Sequence, residues 1–508
     1  MTPLQLSLPI DEFLARSPSP GIPRPRRVFV NRNLRMSHIA WVGFDMDYTL
    51  AIYNQPEMDE LSIKATIEKL VARGYPEFIR TMPYSTAFPV RGLLIDKRFG
   101  HVLKMNRYKM VTKGYHGFRE LAKEELRALY HQKKIRPATP RYHWIDTLYA
   151  LSEAALYAAL VEAMEQRGLA IDYAKTFTDI RESIDEAHRD GTILEAVASD
   201  YPRFVNKDRE LASTLHKLRS AGKKLFLLTN SRWSYTDKMM KFLIDGEMAE
   251  YPSWRHYFDV VIVAATKPAF FQEQRPLMER SERDGEELRP ASFPLERGKV
   301  YEGGNLHDLE AGLSAAGDGI LYVGDHIYGD ILRSKKESAW RTAMIIQELD
   351  GEVQAHDSCR EDFARAETLE DARDRLEDEL RFYHSRFKEL SRKIDQARIK
   401  HQGPNGVDPA TASAPAEAER LRLKRAIDRV RARLRHVDGE LTAIERRIDQ
   451  RFHAFWGPLL KDENEQSSFG AQVEEYACLY TSRVTNFLLY SPQQYFRSPR
   501  DEMAHELG

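Results

Sequence analysis

Four runs of consecutive apolar residues recur along the chain, and each empties into polar ones. Ile39-Ala-Trp-Val-Gly-Phe44 leads into Asp45-Met-Asp47, and Lys224-Leu-Phe-Leu-Leu228 into Thr229-Asn-Ser231. Phe258-Asp-Val-Val-Ile-Val263 leads towards Lys267-Pro268, and Gly319-Ile-Leu-Tyr-Val323 into Gly324-Asp325. A short apolar run without alternation is the pattern of a strand buried on both faces, as in parallel sheets. Ligands of open α/β sheets bind beyond the carboxyl ends of such strands, so the four polar tips are predicted to meet at one site. Arg341-Thr-Ala-Met-Ile-Ile346 reads as a further strand. The pattern therefore predicts an α/β protein with a Rossmann-like core and a central parallel sheet.

Elsewhere the period changes. Leu148, Leu151, Ala155, Leu156 and Leu160 recur at helical spacing, so residues 115–200 read as a mainly helical cap inserted into a core formed by 28–114 and 201–350. Further on, Leu376, Leu380, Tyr383, Phe387, Leu390 and Ile394 step by threes and fours, as do Leu423, Ile427, Val430, Leu434, Val437, Leu441, Ile444 and Ile448. Gly403-Pro-Asn-Gly406 and the Ala/Pro/Ser/Thr stretch after it separate the two series. An antiparallel coiled-coil hairpin over 365–452, with a disordered tip near 402–416, is predicted. The proline-rich residues 1–27 read as a flexible extension, and the aromatic and apolar 453–508 as a segment packing on the core.

Charge alters little in this picture. The 76 Lys and Arg against 77 Asp and Glu in 508 residues set up no net field towards nucleic acid or an anionic membrane. Arg429, Arg431, Arg433 and Arg435 are interleaved with acids and read as a solvated, salt-bridged face, so the hairpin is assigned to assembly, in a homodimer or homotetramer, or to packing within the chain. Two distant cysteines, Cys359 and Cys478, form neither a disulfide framework nor a zinc spacing, and no stretch is long and apolar enough to span a bilayer. A soluble, cytoplasmic protein is expected.

The candidate chemistry lies at the strand tips. Two carboxylates two residues apart beyond a strand can divide nucleophilic attack from proton transfer. Asp45 would take the phosphoryl group, and Asp47 would protonate the leaving oxygen and then activate water. A phosphate dianion beside a carboxylate needs cations. Lys267 supplies one, and Mg²⁺ another, held by Asp45, a backbone carbonyl at Asp47, and Asp325, with Asp330 orienting the ligands. Thr229 can donate its hydroxyl to a phosphate oxygen. Singly, each motif has a plainer reading as a turn or a helix cap. Their succession decides in favour of function.

That succession of acidic pair, hydroxyl, lysine and acidic pair resembles the four motifs of the haloacid dehalogenase (HAD) phosphatases. A narrower resemblance lies in Val28-Phe-Val-Asn-Arg32, Gly43-Phe-Asp-Met-Asp-Tyr-Thr-Leu-Ala51, Val90-Arg-Gly-Leu-Leu94, Tyr235-Thr-Asp-Lys238, Tyr301-Glu-Gly-Gly304 and Val323-Gly-Asp-His-Ile-Tyr-Gly-Asp330. These resemble the cytosolic purine 5′-nucleotidase family over most of 28–350. The resemblance implies hydrolysis of purine nucleoside 5′-monophosphates, IMP and GMP preferred, through an aspartyl-phosphate, with some phosphotransferase activity. It further implies substrate contacts at Arg181, Asp185 and His188, which share one helix face by their spacing of four and three, and at Tyr149, Asn230 and Ser231. The family's cap lysine is replaced by Leu194 here, and its aromatic-asparagine pair aligns with Tyr149 and Ala150. Two other functions are compatible with the chain: a phosphatase for another small ester, or a scaffold with a vestigial site.

Overall fold

The computed structural model describes residues 21–131, 135–281, 287–332, 337–400, 409–500 and Glu506. Most of the expected N-terminal extension (1–20) and residues 401–408 of the expected hairpin tip lie outside the described residues. Two compact units are present, residues 354–458 and the rest of the chain.

The larger unit is built on a ten-stranded sheet. Its order is Phe29–Val30, Leu479–Thr481, Arg341–Ile345, Ile320–Gly324, Trp41–Phe44, Lys224–Leu228, Val260–Val263, Val300–Gly303, Leu277–Arg280, Leu288–Pro290. From Leu479–Thr481 to Val300–Gly303 the neighbours are parallel, while the outermost strands pair antiparallel. The strands carrying Asp45, Thr229, Lys267 and Asp325 are thus adjacent, and all four point the same way. The central strands are buried at almost every position, which is why the sequence shows no alternation there. Across one face Phe226 packs against Trp41, Tyr322 and Trp340, with ring centroids 5.9–6.3 Å apart. Burying each such ring contributes about 1.5–3 kcal/mol. Gly43 makes this packing possible, since a Cβ there would lie 2.1 Å from the Phe226 ring.

A second sheet of five antiparallel strands precedes the cap helices, in the order Arg119–Glu120, Val111–His116, His101–Met105, Leu93–Asp96, Tyr142–Ile145. Sequence reasoning did not separate it from the core. Leu93–Asp96 and His101–Met105 are buried at every residue, so the period-2 signal that marks an antiparallel strand is missing. Helices Leu151–Gln166, Tyr173–Arg189 and Thr192–Ser199 follow. Beyond residue 458 the chain contributes Leu479–Thr481 to the main sheet, and Phe469, Val473 and Ala477 cover Ile327, Ile331 and Met344.

The smaller unit consists chiefly of helices Arg360–Lys400 and Pro409–Phe452. Leu369, Leu441, Ile444 and Ile448 form its buried seam, and Arg365–Glu440 and Arg447–Asp362 ion pairs, at 2.9 and 2.5 Å, fix the antiparallel register. Exposed pairs contribute at most about 1 kcal/mol each, so the apolar seam carries the attraction. The second helix already begins at Pro409, inside the stretch expected to be disordered, and contains Pro415. Among the described residues no helix is long and apolar enough to cross a membrane, and both cysteines are free and buried.

Candidate active site

Asp45 follows directly on the central strand, where its N–H donates to the Val323 carbonyl of the neighbouring strand (2.9 Å). The Asp45 Oδ1 accepts from the Met46 N–H (2.8 Å) and faces the Lys267 ammonium at 2.9 Å. Its Oδ2 has no hydrogen-bond partner among the described residues, which leaves one oxygen free to act as a nucleophile. Lys267 also donates to Asp330 Oδ1 (2.6 Å) and to the Tyr322 hydroxyl (2.8 Å), and that hydroxyl donates to the Leu228 carbonyl (3.1 Å). One ammonium therefore ties the first strand tip to the last.

The turn that delivers Lys267 is strained. Ala264 and Thr266 adopt φ of 47° and 59°, the left-handed region that costs a non-glycine residue about 1–2 kcal/mol. Neighbouring contacts hold it: the Ala265 N–H donates to the Thr229 carbonyl, and Asn230 clasps Lys267 through both its backbone N–H (2.5 Å) and carbonyl (2.9 Å). Asn230, expected to meet substrate, is thus engaged with the turn. The Thr229 hydroxyl is fully buried and accepts from the Ser231 N–H (3.1 Å).

Asp47 accepts from the Tyr53 hydroxyl and from Ser231 Oγ, both at 2.6 Å, and Tyr53 also contacts the Tyr235 hydroxyl (2.8 Å). Ser231 therefore touches the second aspartate. Burial raises the Asp47 carboxyl above its usual range, against the lowering effect of these two hydroxyls. Burial likewise drives Asp45 well up, opposed by Lys267 and reinforced by Asp330 and Asp325. Asp325 is pushed up to about 7 by burial and then by Asp330. For Lys267 the pull of burial is outweighed by Asp330 and Asp45, so it stays protonated.

Oxygens of Asp45, Asp325 and Asp330 lie within 4.8 Å of one another. Three carboxylates brought this close form a hard-oxygen donor set, which fits Mg²⁺. The Asp47 carboxylate stands outside this trio. Gly324 allows the approach, because a Cβ there would lie 2.6 Å from the Asp330 side chain. Arg91 braces the loop from behind: it is buried, forms a two-pronged pair with Glu348 (2.8 and 2.5 Å) and donates to the Asp325 carbonyl (3.1 Å).

Beside the carboxylates opens a cavity of about 460 Å³ lined by Trp144, Tyr149, Glu153, Arg181, Asp185 and His326, among others. His326, which adjoins Asp325 in sequence, lines this cavity and meets Asp146 of the cap at 3.3 Å, while Asp45, Asp47, Lys267 and Asp325 themselves do not line it. The Tyr149 hydroxyl, raised by burial and then by Asp47, Asp185 and Glu153, is near enough to all three to feel their charge. His188 stacks on Tyr149 (ring centroids 4.4 Å apart) and does not itself line the cavity.

Sequence reasoning missed Tyr53, Tyr322, Arg91 and Glu153. For two of them a signal existed: Tyr322 is a hydroxyl inside an otherwise apolar run, and Glu153 is an acid at the head of an Ala/Leu-rich helix. Arg91 carries no local mark, because its partner Glu348 is remote in sequence; Tyr53 lies six residues past Asp47, where a lone tyrosine is no distinctive signal.

A central strand bearing the paired aspartates, flanked by those bearing Thr229 and Asp325, is the layout of a HAD-type core. The chain belongs to the 5′ nucleotidase family, whose model matches residues 28–508. A 5′-nucleotidase domain-containing protein of Dictyostelium discoideum is 28% identical over 499 residues, covering 95% of this chain and 75% of that protein. The 5′-nucleotidase domain-containing protein 2 of Homo sapiens is 31% identical over 340 residues, covering 65% of this chain and 64% of that protein. The match thus spans under two thirds of the human protein's length. Among solved structures, a predicted phosphoglycolate phosphatase from Haemophilus somnus 129PT aligns at 12% identity and a TM-score of 0.25, covering 61% of this chain and 85% of that one.

Proposed function

We propose that the protein is a cytoplasmic, Mg²⁺-dependent 5′-nucleotidase that hydrolyses purine nucleoside 5′-monophosphates, with IMP and GMP preferred. The observation that carries this reading is the free Asp45 Oδ2 beside the Lys267 ammonium, with Asp47 two residues on and a nucleoside-sized cavity alongside. Asp45, Asp325 and Asp330 would hold Mg²⁺ together with the Asp47 backbone; when bound, the ion neutralises phosphate charge.

In the first step Asp45 Oδ2 forms a bond to phosphorus as the bond to the 5′ oxygen breaks. Asp47 gives its proton to that oxygen, and the nucleoside leaves. Asp47, now ionised and steadied by Tyr53 and Ser231, accepts a proton from the water that attacks the aspartyl-phosphate. Phosphate is released and Asp45 restored. A nucleoside taking the place of that water would give phosphotransfer. Lys267 and the Thr229 hydroxyl offset charge on the nonbridging oxygens. Arg181, Asp185 and Tyr149 line the cavity that would receive base and ribose, and His188 steadies Tyr149 by stacking. The chain is assigned to a homo-oligomer, with no nucleic acid or membrane partner.

The test is phosphate release from a panel of nucleoside and sugar monophosphates, with Mg²⁺ present and chelated. Purine monophosphates should turn over only with the ion, and Asp45→Asn should abolish turnover while leaving the fold intact. Rapid turnover of sugar phosphates with none of IMP or GMP would overturn the nucleotidase reading.

A further inference from the structure

At the far end of the main sheet from the carboxylates lies a second cavity, of about 220 Å³, walled by Asn33, Arg35, His38, Asp318, Arg341 and Tyr495 among others. Arg341 opens its strand, Asp318 just precedes Ile320–Gly324, and His38 just precedes Trp41–Phe44. The cavity therefore sits at the amino ends of parallel strands whose carboxyl ends lead to Asp45 and Asp325. Strands of this length, at about 3.3 Å per residue, separate the two places by roughly 15 Å. The wall is rich in donors and poor in countercharge. Arg73, Arg80, Arg91 and Arg219 each meet a carboxylate. Among the described residues Arg35, Arg341 and Arg497 meet none. Arg35 and Arg497 both stack on the Tyr495 ring, each guanidinium 4.6 Å from its centroid, which gathers two like charges on one ring. Arg341 gives one N–H to the Asn33 carbonyl, while its Nε is sealed from solvent and has no hydrogen-bond partner among the described residues. Asn33 Oδ1 is taken by the Ser498 N–H (2.9 Å), which leaves its amide nitrogen as a further donor. The lone acid on the wall, Asp318, is exposed and forms no ion pair with these arginines.

We propose that this cavity binds a phosphoryl group, as free phosphate or as a small phosphate ester, at a place separate from the candidate active site. Like charges gathered without a counter-ion raise the energy of the wall, and an anion set among them relieves it. The guanidinium fork matches the spacing of phosphate oxygens, so arginine binds such groups in two-pronged fashion. A phosphoryl group offers three oxygens, enough to engage Arg35, Arg341 and the Asn33 amide together. A carboxylate has two oxygens and a single charge, and would satisfy fewer of these donors. Leu34 and Ile39 line the rest of the cavity and suit the short carbon stem of an ester. Stacking on Tyr495 holds Arg35 in advance, so less side-chain freedom is lost when the anion arrives.

The test is equilibrium dialysis of the full chain against radiolabelled phosphate, with divalent ions chelated, which counts the ions bound per chain. Arg35→Gln and Arg341→Gln should each weaken the binding of one phosphate per chain by about tenfold or more, the loss of a charge-assisted hydrogen bond. Asp318→Asn should act the other way and tighten it, because the lone opposing charge is gone. Arg35 is exposed, so its variant tests the cavity even where Arg341→Gln does not fold, and unchanged thermal midpoints in phosphate-free buffer establish folding. Glycerol 3-phosphate competing more strongly than phosphate would support the proposal with an ester as ligand, and the reverse order would support it with the free ion. Wild-type phosphate binding in Arg35→Gln, weaker binding in Asp318→Asn, or displacement by an equal concentration of chloride would overturn it. None of these outcomes bears on Asp45, Asp47 or Lys267, so the nucleotidase reading stands or falls separately.

Discussion

Replacing Lys267 by methionine keeps a stem of similar volume and removes the ammonium that Asp45 (2.9 Å) and Asp330 (2.6 Å) share. Both carboxylates and Asp325 are buried, so the variant leaves several acids with no Lys267 charge between them. Removing one partner of a buried pair costs about 3–5 kcal/mol, and that range is expected at pH 8 with divalent ions chelated. The pH dependence follows from the direction of the shifts. Burial already holds Asp45 above its ordinary value, and without Lys267 it moves higher still. Between the ordinary carboxylate range and that raised value, the folded variant binds more protons than the unfolded chain. Its stability therefore falls as pH rises through this window, and the deficit against the wild type narrows towards pH 5. Urea denaturation at pH 8 and pH 5, in chelator, measures both. Turnover should drop by about 10²–10³-fold as the charge opposite the phosphate is lost. Equal urea midpoints for variant and wild type at pH 8 would show that these carboxylates do not depend on the lysine, and the account of the site would fail.

Asp47→Asn removes the proton donor of the first step and the base of the second, so steady-state kcat should fall by about 10²–10⁴-fold for nucleotides and for p-nitrophenyl phosphate alike. Because p-nitrophenolate leaves without a proton, its release should show a pre-steady-state burst that nucleotides lack, read by stopped flow. Asp59 is buried in helix Gln55–Ala72 and burial raises it to about 8, so its ionisation destabilises the fold as pH climbs towards that value. Asp59→Asn should raise the thermal midpoint at pH 9 and leave it nearly unchanged at pH 4. Gly324→Ala places a methyl 2.6 Å from Asp330, and should raise the Mg²⁺ concentration for half-maximal activity by about tenfold or more, read from a metal titration.

The parallel core was legible because its strands are covered on both faces and announce themselves as unbroken apolar runs. The same property hid the cap sheet. His101–Met105 carries a buried histidine and a buried lysine, whose partners, Tyr130 and the Lys461 carbonyl, no local pattern reveals. The candidate residues Asp45, Asp47, Thr229 and Asp325 were visible as types at strand ends. Residues that position them were not, because Arg91 finds Glu348 across 257 positions and Ser231 finds Asp47 across 184. At Asn230 the type was noted while its contact with the turn was not: an amide there reads equally well as a ligand contact and as a clasp on a strained turn.

The placement of Leu479–Thr481 between Phe29–Val30 and Arg341–Ile345 has a consequence for synthesis. About a hundred residues of helical excursion must leave the ribosome before this strand does, so until then the Arg341–Ile345 edge stands open with its amides unpaired. A nascent chain paused in the excursion would expose the strand most prone to join another molecule. Yet where the excursion rejoins the sheet the ends are close, with Glu352 accepting from the Leu459 N–H at 2.8 Å. A short bridge across that gap would shorten the vulnerable interval and bring the last strand home sooner.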